Sequence, residues 1–397
     1  MNKIIKTLGM VILGTTTCMT AGQAQENEVI FSSSDPAPTL KSSDGKFEFN
    51  IRGRIMADWS TGSDSNSAND FSGTKLRAAW FGIEGKATSN IKYKFEADFG
   101  GNSTKVKDAY LQFKQDTWSI TVGQSKVPNS MEWNTAISQT TFMERAAFKS
   151  AFGFGRAFGV KVATGGDNWG FTAGVFQGNN TFASGTKEGI TAAVRATVGG
   201  KIDKATWMVG VSGRAKDLKD TGTITYKAKA ITNLSMTMSN FGSNAVKENL
   251  VALEAAFTSG PLFGAIEYAF ANAKDGIAAG TNAKFSGGYA EVGYILTGES
   301  RAINIKSGSW SRPKVNNPVN EGGNGMWMVS ARYDKLDLTN NGAFGGEQHS
   351  YVASVSWYMT RYIRAMLDYG YTKVNDRTSL GTTNTANVVG LRLNVDW

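Results

Sequence analysis

The chain has 397 residues and carries 42 Lys and Arg against 33 Asp and Glu, a formal net charge of +9, with a single cysteine and a single histidine. One cysteine cannot form a disulfide within the chain, and so few Cys and His residues exclude the usual tetrahedral zinc sites. The basic residues form no run, so the charge does not favour a nucleic-acid-binding protein and leaves a membrane surface or an anion path.

Residues 1–24 have the pattern of a secretory signal peptide. Lys3 and Lys6 precede a short apolar stretch, Leu8–Gly14, and the small residues that end at Ala24 offer a cleavage site. The apolar stretch is too short to cross a membrane as a helix. We therefore expect an exported protein.

After a polar segment, 25–45, apolar and charged residues alternate along the chain. Ile91, Tyr93 and Phe95, for example, are separated by charged residues. A β-strand points successive side chains to opposite faces, so each such segment has one apolar and one charged face. Segments of about ten residues with this pattern are typical of transmembrane barrels. A soluble β-sandwich or β-helix also alternates, but charges on the polar face of strand after strand favour the barrel.

Sixteen segments between 46 and 397 show the pattern well, and one more, near 223–238, shows it weakly. Outer-membrane barrels of bacteria have an even number of strands, so we predict an all-β fold, a transmembrane antiparallel β-barrel of 16 strands over 46–397. Such a barrel encloses a wide lumen. Three long connections are candidates to fill it, namely 127–154, 216–247 and 298–323.

Seven short motifs follow one another along these segments. They are Val122–Pro128 (VGQSKVP), Thr141–Arg145 (TFMER), Gly155–Val160 (GRAFGV), Gly288–Glu291 (GYAE), Leu296–Arg301 (LTGESR), Ala331–Leu338 (ARYDKLDL) and Leu391–Leu393 (LRL). Together they resemble the phosphate-selective porin O/P family and extend over most of the mature chain. The resemblance implies a 16-stranded barrel that assembles as a homotrimer. It also implies that the three long connections fold into the lumen, with the first of them at the constriction.

The resemblance further implies an anion path, in which a ladder of arginines leads to lysines at the constriction. The candidate loop cations are Lys126, which lies in the matching Gly-Gln-x-Lys motif, and Arg145, Lys149, Lys306 and Lys314. By their parity in the predicted strands, the arginines that face the lumen are Arg52, Arg54, Arg195, Arg214, Arg332, Arg364 and Arg392. Acidic residues share the same face and the same loops, so solvated lumen charges without selectivity are the alternative.

No catalytic group of residues emerges from the sequence, and we expect a protein that is not an enzyme. A Ser–His–acid arrangement would need His349, which lies beside a predicted external loop without a supporting motif. An outer-membrane lipase and a barrel that anchors surface binding loops are remote alternatives.

The sequence thus predicts an outer-membrane porin for the passive diffusion of small hydrophilic solutes, selective for anions and, through the resemblance, for phosphate. A general, non-selective porin is the main alternative. The expected partners are small anions such as phosphate, outer-membrane lipids, two further copies of the chain and the barrel-assembly machinery, which would read the final strand ending at Trp397. We expect no cofactor, no metal and no nucleic acid.

Overall fold

The computed structural model shows a closed antiparallel β-barrel. The described residues are 29–32, 38–65, 69–101, 103–178, 188–219, 222–340, 342–377 and 383–397. The predicted signal peptide, 1–24, lies outside them.

The strands follow one another closely along the chain. They are β1 (Val29–Ser32), β2 (Thr39–Ser42), β3 (Glu48–Asp64), β4 (Phe71–Lys86), β5 (Ile91–Asp98), β6 (Lys105–Gln115), β7 (Trp118–Lys126), β8 (Arg156–Gly165), β9 (Trp169–Gln177), β10 (Ile190–Ile202), β11 (Ala205–Asp217), β12 (Thr225–Lys229), β13 (Thr237–Gly242), β14 (Lys247–Ser259), β15 (Leu262–Ala278), β16 (Thr281–Ile295), β17 (Ile303–Asn304), β18 (Ser309–Trp310), β19 (Met326–Asn340), β20 (Ala343–Tyr358), β21 (Ile363–Arg377) and β22 (Thr383–Asp396).

Sixteen of these strands form the barrel wall, which confirms the predicted fold. They are all the strands except β1, β2, β12, β13, β17 and β18. Each wall strand pairs antiparallel with the next wall strand, and β22 pairs with β3 to close the sheet. The β1–β2 hairpin extends the wall beside the beginning of β3, where Thr39 pairs with Asn50.

The alternation seen in the sequence separates the two faces of the wall. In β14, Val251 and Leu253 are about half exposed, at 50% and 53%, whereas Leu250, Ala252 and Glu254 between and beside them are buried. The exposed apolar face is the one that contacts lipid in a transmembrane barrel. The other face points into the lumen, and its charged side chains are available to bind whatever fills the lumen.

Both ends of the barrel wall meet at one rim of the barrel. The Trp397 N–H donates to the Gly53 carbonyl at 3.0 Å, and the Gly53 N–H donates to the Trp397 carbonyl at 3.2 Å. Tight turns close the same rim, with Asp116 and Asp203 in the left-handed region at φ 46° and 52°. Short turns mark the periplasmic rim of outer-membrane barrels, so we assign this rim to the periplasm. Within the described ranges, no helix is long and apolar enough to cross a membrane.

The connection between β7 and β8, 127–155, lies inside the barrel, and we call it the lumen loop. It contains two short helices, α1 (Met131–Asn134) and α2 (Ala147–Ala151), and a 3₁₀ turn at Ile137–Gln139. Most of its residues are buried. A loop with so little regular structure needs other partners for its backbone groups, and the barrel wall supplies them, as described below.

Two further segments pack inside the barrel. The inner hairpin, β12–β13, contacts the wall at β20, where Ser239 donates to the Gln348 side chain at 3.0 Å. The inner turn, 296–325, which contains β17 and β18, reaches the lumen loop, where the Trp310 N–H donates to the Thr135 hydroxyl at 3.0 Å. An apolar cluster joins these segments to the wall, and it includes Phe148, Phe152, Tyr226, Phe285 and Trp310.

Candidate functional site

Carboxylates of the wall bind the backbone of the lumen loop. Glu267 on β15 accepts hydrogen bonds from the N–H groups of Met131 at 2.9 Å and Glu132 at 2.6 Å, where α1 begins. Asp334 on β19 accepts from the Ala147 N–H at 2.8 Å, where α2 begins. A buried backbone N–H without an acceptor is costly, so these contacts fix the loop to the wall.

Arginines of the wall bind the carbonyls of the same loop. Arg364 donates to the Thr140 and Thr141 carbonyls at 2.7 and 3.0 Å, and Arg332 donates to the Glu144 carbonyl at 3.0 Å. Arg392 donates to the carbonyl of Met143 and forms an ion pair with Asp58 at 2.7 Å. These three side chains are almost fully buried. They hold the loop in place and offer little of their guanidinium groups to the lumen.

The other four predicted arginines are also engaged. Arg195 pairs with Glu254 and donates to the Ser307 and Gly308 carbonyls of the inner turn at 2.7 Å each. Arg214 pairs with Glu248 and donates to the Phe152 carbonyl at 2.7 Å.

Near the periplasmic rim, Arg54 lies 3.4 Å from Asp396 and donates to the Ser138 hydroxyl at 3.2 Å. Arg52 pairs with Glu84 at 2.7 Å, and both of these side chains remain one-third exposed. Arg52 is therefore more open to the lumen than Arg54, which is buried.

Three of the predicted loop cations converge on one residue, Trp133 of α1. The Lys126 and Lys149 ammonium groups lie 5.2 and 4.9 Å from the centre of its ring, and the Arg145 guanidinium lies 5.3 Å away. A fourth cation, Arg156 at the start of β8, lies at 5.7 Å. An indole face attracts cations, so Trp133 gathers four basic side chains that would otherwise repel one another when charged.

Lys126 also supports the loop itself. Its ammonium group donates to the carbonyls of Trp133 and Asn134, both at 2.8 Å, and of Thr135 at 3.2 Å. These carbonyls end the helix α1, where a positive charge is favourable. Lys149, by contrast, contacts the Trp133 ring and borders a cavity, so its ammonium group is more available to a passing ion.

A second indole, Trp80 on β4, has a cation cluster of its own. Arg54, Lys107 and Arg156 lie 4.7, 5.1 and 5.6 Å from the centre of its ring. Arg156 therefore contacts both indoles and links the two clusters. Sequence reasoning missed Lys107, Arg156 and both tryptophans as site residues, although Arg156 lies in the Gly155–Val160 motif that matched the family.

Carboxylates balance part of this second cluster. Asp108 on β6 binds Arg156 at 2.8 Å and lies 3.3 Å from Lys94, and Asp98 lies 3.0 Å from Lys107. The acidic residues that share the lumen face are thus paired along β5 and β6.

The charge of the lumen loop at neutral pH depends on groups with shifted pKa values. Burial, together with the nearby guanidinium groups of Arg145 and Arg77, lowers the pKa of Lys149 to about 7. Burial lowers the pKa of Arg145 only to about 10, and burial raises the pKa of Glu132 to about 7. Near pH 7 the loop therefore keeps its arginine charge, while Lys149 and Glu132 are each partly neutral.

Two lumen cavities lie along β4, on either side of Trp80. A cavity of about 390 Å³ is bordered by Arg77, and one of about 210 Å³ is bordered by Glu84. Because strands rise about 3.3 Å per residue, Trp80 lies about 10 Å along β4 from Arg77 and about 13 Å along it from Glu84. Along β4, Trp80 and its cations thus lie between an external cavity and a periplasmic one.

The two lysines predicted on the inner turn lie elsewhere. Lys306 is exposed at the periplasmic rim, where its ammonium group is 3.5 Å from the Thr117 carbonyl. Lys314 is also exposed. The structure therefore brings Lys126, Arg145 and Lys149 together and does not bring these two lysines to the same cluster.

The chain is similar to known bacterial proteins. The family described as "Phosphate-selective porin O and P" matches residues 49–397. An uncharacterised protein of Caulobacter vibrioides is 30% identical over 344 residues, which cover 82% of this chain and 68% of that protein. Porin O of Pseudomonas aeruginosa is 22% identical over 390 residues, which cover 86% of each chain.

A solved structure of an outer membrane protein has a similar barrel fold. A loop-deletion variant of OmpT, an outer membrane protein of Vibrio cholerae, superposes with a TM-score of 0.57 at 11% identity, covering 88% of this chain and 99% of that chain. The closed barrel and the family match together make the protein an outer-membrane channel of the porin type rather than an enzyme. The chain belongs to the phosphate-selective porin O and P family.

Proposed function

We propose that the channel prefers small anions, phosphate among them, and that the lumen loop forms its selective constriction. The observation that carries the proposal is the group of four basic side chains, Lys126, Arg145, Lys149 and Arg156, around the Trp133 indole, two of which, Arg145 and Lys149, border the lumen cavity of about 390 Å³. Charges select ions where the path is narrow and bordered by protein, because field lines are then confined.

The acidic residues nearby support a net preference for anions. Glu144 of the lumen loop is bound by Arg77 at 2.6 Å and by Arg392 at 2.8 Å. Asp108 is bound by Arg156, as described above. Paired carboxylates contribute little negative field, whereas Lys149 has no carboxylate within ion-pairing distance among the described residues.

The test is the reversal potential of the refolded protein in a planar bilayer under a KCl gradient. We expect a potential close to the chloride limit. Lys149→Glu should lower the chloride-to-potassium permeability ratio about tenfold, because reversing a charge next to the ion changes its energy by about 1–2 kcal/mol even in a watery lumen. Lys149 is preferred to Lys126 for this test because Lys126 also holds the loop.

Lys204→Glu is the matched control, since Lys204 is exposed in a periplasmic turn. It should leave the permeability ratio unchanged. A wild-type potential near zero or towards potassium would overturn anion selectivity and favour a general porin.

The homotrimer implied by the family resemblance is a separate proposal. When the protein is cross-linked in native outer membranes, the largest product should contain three chains. Recovery of single chains alone would contradict it. Lipid contacts and recognition of the final strand by the assembly machinery stay predictions.

A further inference from the structure

The external cavity, of about 390 Å³, lies between the lumen loop, the inner hairpin and the wall strands β19 and β20. Its size falls within the range of about 300–1,000 Å³ that is typical of sites for small organic ligands. An inorganic anion would fill only a fraction of it.

Cations outnumber acids around this cavity. Six cationic side chains border it, against two carboxylates, Glu144 and Asp334. Glu144 is already bound by Arg77 and Arg392, and Asp334 by the Ala147 N–H. Arg77 and Arg332 form ion pairs with acidic residues, whereas Lys149, Lys227 and Lys229 have no carboxylate within ion-pairing distance among the described residues. These three lysines give the cavity an excess of positive charge, which suits a ligand with more than one negative charge.

The inner hairpin contributes two of these cations through its own alternation. Lys227 and Lys229 are exposed on one face of β12 and border the cavity, whereas Tyr226 and Ala228 are buried on the other face. Tyr226 donates to Glu248 of the wall at 2.7 Å, which anchors the strand. The hairpin thus presents two lysines opposite Lys149 of the lumen loop.

Uncharged polar groups border the rest of the cavity. They belong to Ser150, Thr232, Asn233, Thr237, Gln348 and Ser350. Gln348 and Ser350 already hydrogen-bond to each other and to other protein groups, so the remaining four residues supply the hydroxyl and amide groups for ligand hydroxyls. No described residue that borders this cavity supplies an aromatic ring on which a base could stack. A ligand that is anionic at one end and rich in hydroxyls at the other matches both the lysines and the uncharged polar groups of the cavity.

We propose that the external cavity binds phosphorylated sugars before they reach the constriction. The phosphate would lie among Lys149, Lys227 and Lys229, and the sugar hydroxyls would face the hydroxyl and amide side. The inference rests on the proposed anion channel and narrows its substrate class from inorganic phosphate to organic phosphates.

The experiment measures block of the chloride current through single channels by glucose 6-phosphate added to the external side, with inorganic phosphate and glucose as comparison probes. We expect glucose 6-phosphate to block at a concentration at least about tenfold below that of inorganic phosphate, because the hydroxyls add hydrogen bonds worth about 1.4 kcal/mol or more. Glucose should not block.

The test variant is Lys227→Gln together with Lys229→Gln. It should raise the half-blocking concentration of glucose 6-phosphate about tenfold. The matched control is Lys105→Gln together with Lys284→Gln, two exposed lysines at the external ends of β6 and β16 that do not border the cavity. The half-blocking concentration of glucose 6-phosphate should be the same for this control as for the wild type.

Equal block by glucose 6-phosphate and inorganic phosphate, or equal effects of the two double variants, would overturn the inference. The reversal potential of the same channels separates this failure from failure of the proposed function. Channels that stay chloride-selective without preferring the sugar phosphate contradict only the inference, whereas channels without chloride preference contradict both.

Discussion

At the scale of single residues, Lys149 is the cation of the lumen loop whose charge changes near neutral pH. It stands between the Trp133 ring and the external cavity, and burial together with Arg145 and Arg77 lowers its pKa to about 7. A lysine with a lowered pKa is protonated below that value and neutral above it. The charge at the proposed constriction therefore changes within the physiological pH range.

This predicts a pH dependence of selectivity. Between pH 6 and pH 8 the chloride preference should fall as pH rises, because Lys149 loses its proton. Reversal potentials under the same KCl gradient at the two pH values measure the change. Lys149→Gln should show a smaller change between the two pH values than the wild type, because of these two loop groups only Glu132, whose pKa burial raises to about 7, still titrates in that range. A wild-type channel whose reversal potential is the same at pH 6 and pH 8 would contradict the prediction.

At the scale of elements, the lumen loop depends on ionisable wall residues for much of its conformation. Its helices are one turn long, which is too short to be stable alone. Glu267 binds two consecutive N–H groups where α1 begins and also accepts from the Tyr289 hydroxyl at 2.8 Å. An intramolecular hydrogen bond contributes about 0.5–1.5 kcal/mol to stability.

We predict that Glu267→Ala detaches the beginning of α1 from the wall. The single-channel conductance should rise and chloride selectivity should fall, since the loop no longer narrows the lumen. Glu267→Gln keeps one acceptor oxygen and should give an intermediate conductance. A conductance in Glu267→Ala equal to that of the wild type would show that the loop is held without this carboxylate.

The sequence predicts the strands of the barrel wall well, but it predicts poorly how the segments inside the barrel bind to that wall. The sixteen strands could be predicted because alternation is local and repeats in every strand. Arg332, Arg364 and Arg392 could be placed on the lumen face, but not paired, because their partners are backbone carbonyls of a loop more than 180 residues away.

Trp133 was missed for a different reason. An indole carries no formal charge, so a search for charged residues passes over the ring that gathers them. The inner hairpin was visible only as a weak strand segment near 223–238, and nothing in its alternation says that it turns inward.

At the scale of the whole molecule, the barrel is closed by a tight contact between β3 and the end of the chain after β22. A β-carbon added at Gly53 would lie 1.9 Å from the Trp397 ring, and backbone hydrogen bonds join the same two residues. Real β-carbons do not approach other atoms so closely, so the Trp397 ring or the strand that carries it would have to shift.

We therefore predict that Gly53→Ala destabilises the closed barrel, by about 1–3 kcal/mol. Urea unfolding of the refolded protein in detergent, followed by tryptophan fluorescence, measures the change. Gly73→Ala is the control, since nothing lies within 4 Å of a β-carbon built at Gly73 on β4. Equal unfolding midpoints for the two variants would rule out the contact as a determinant of closure.

The long sequence separation between the lumen loop and its partners constrains the order in which the protein folds. Met131 lies 136 residues from Glu267, and Met143 lies 225 residues from Asp368 and 249 from Arg392. The loop lacks many of its hydrogen-bond partners until β15, β19, β21 and β22 stand opposite β7 and β8. Its docking must accompany or follow the final closure step, so during assembly this apolar segment, with its four phenylalanines, has to be kept from water and from other chains by something other than its own barrel.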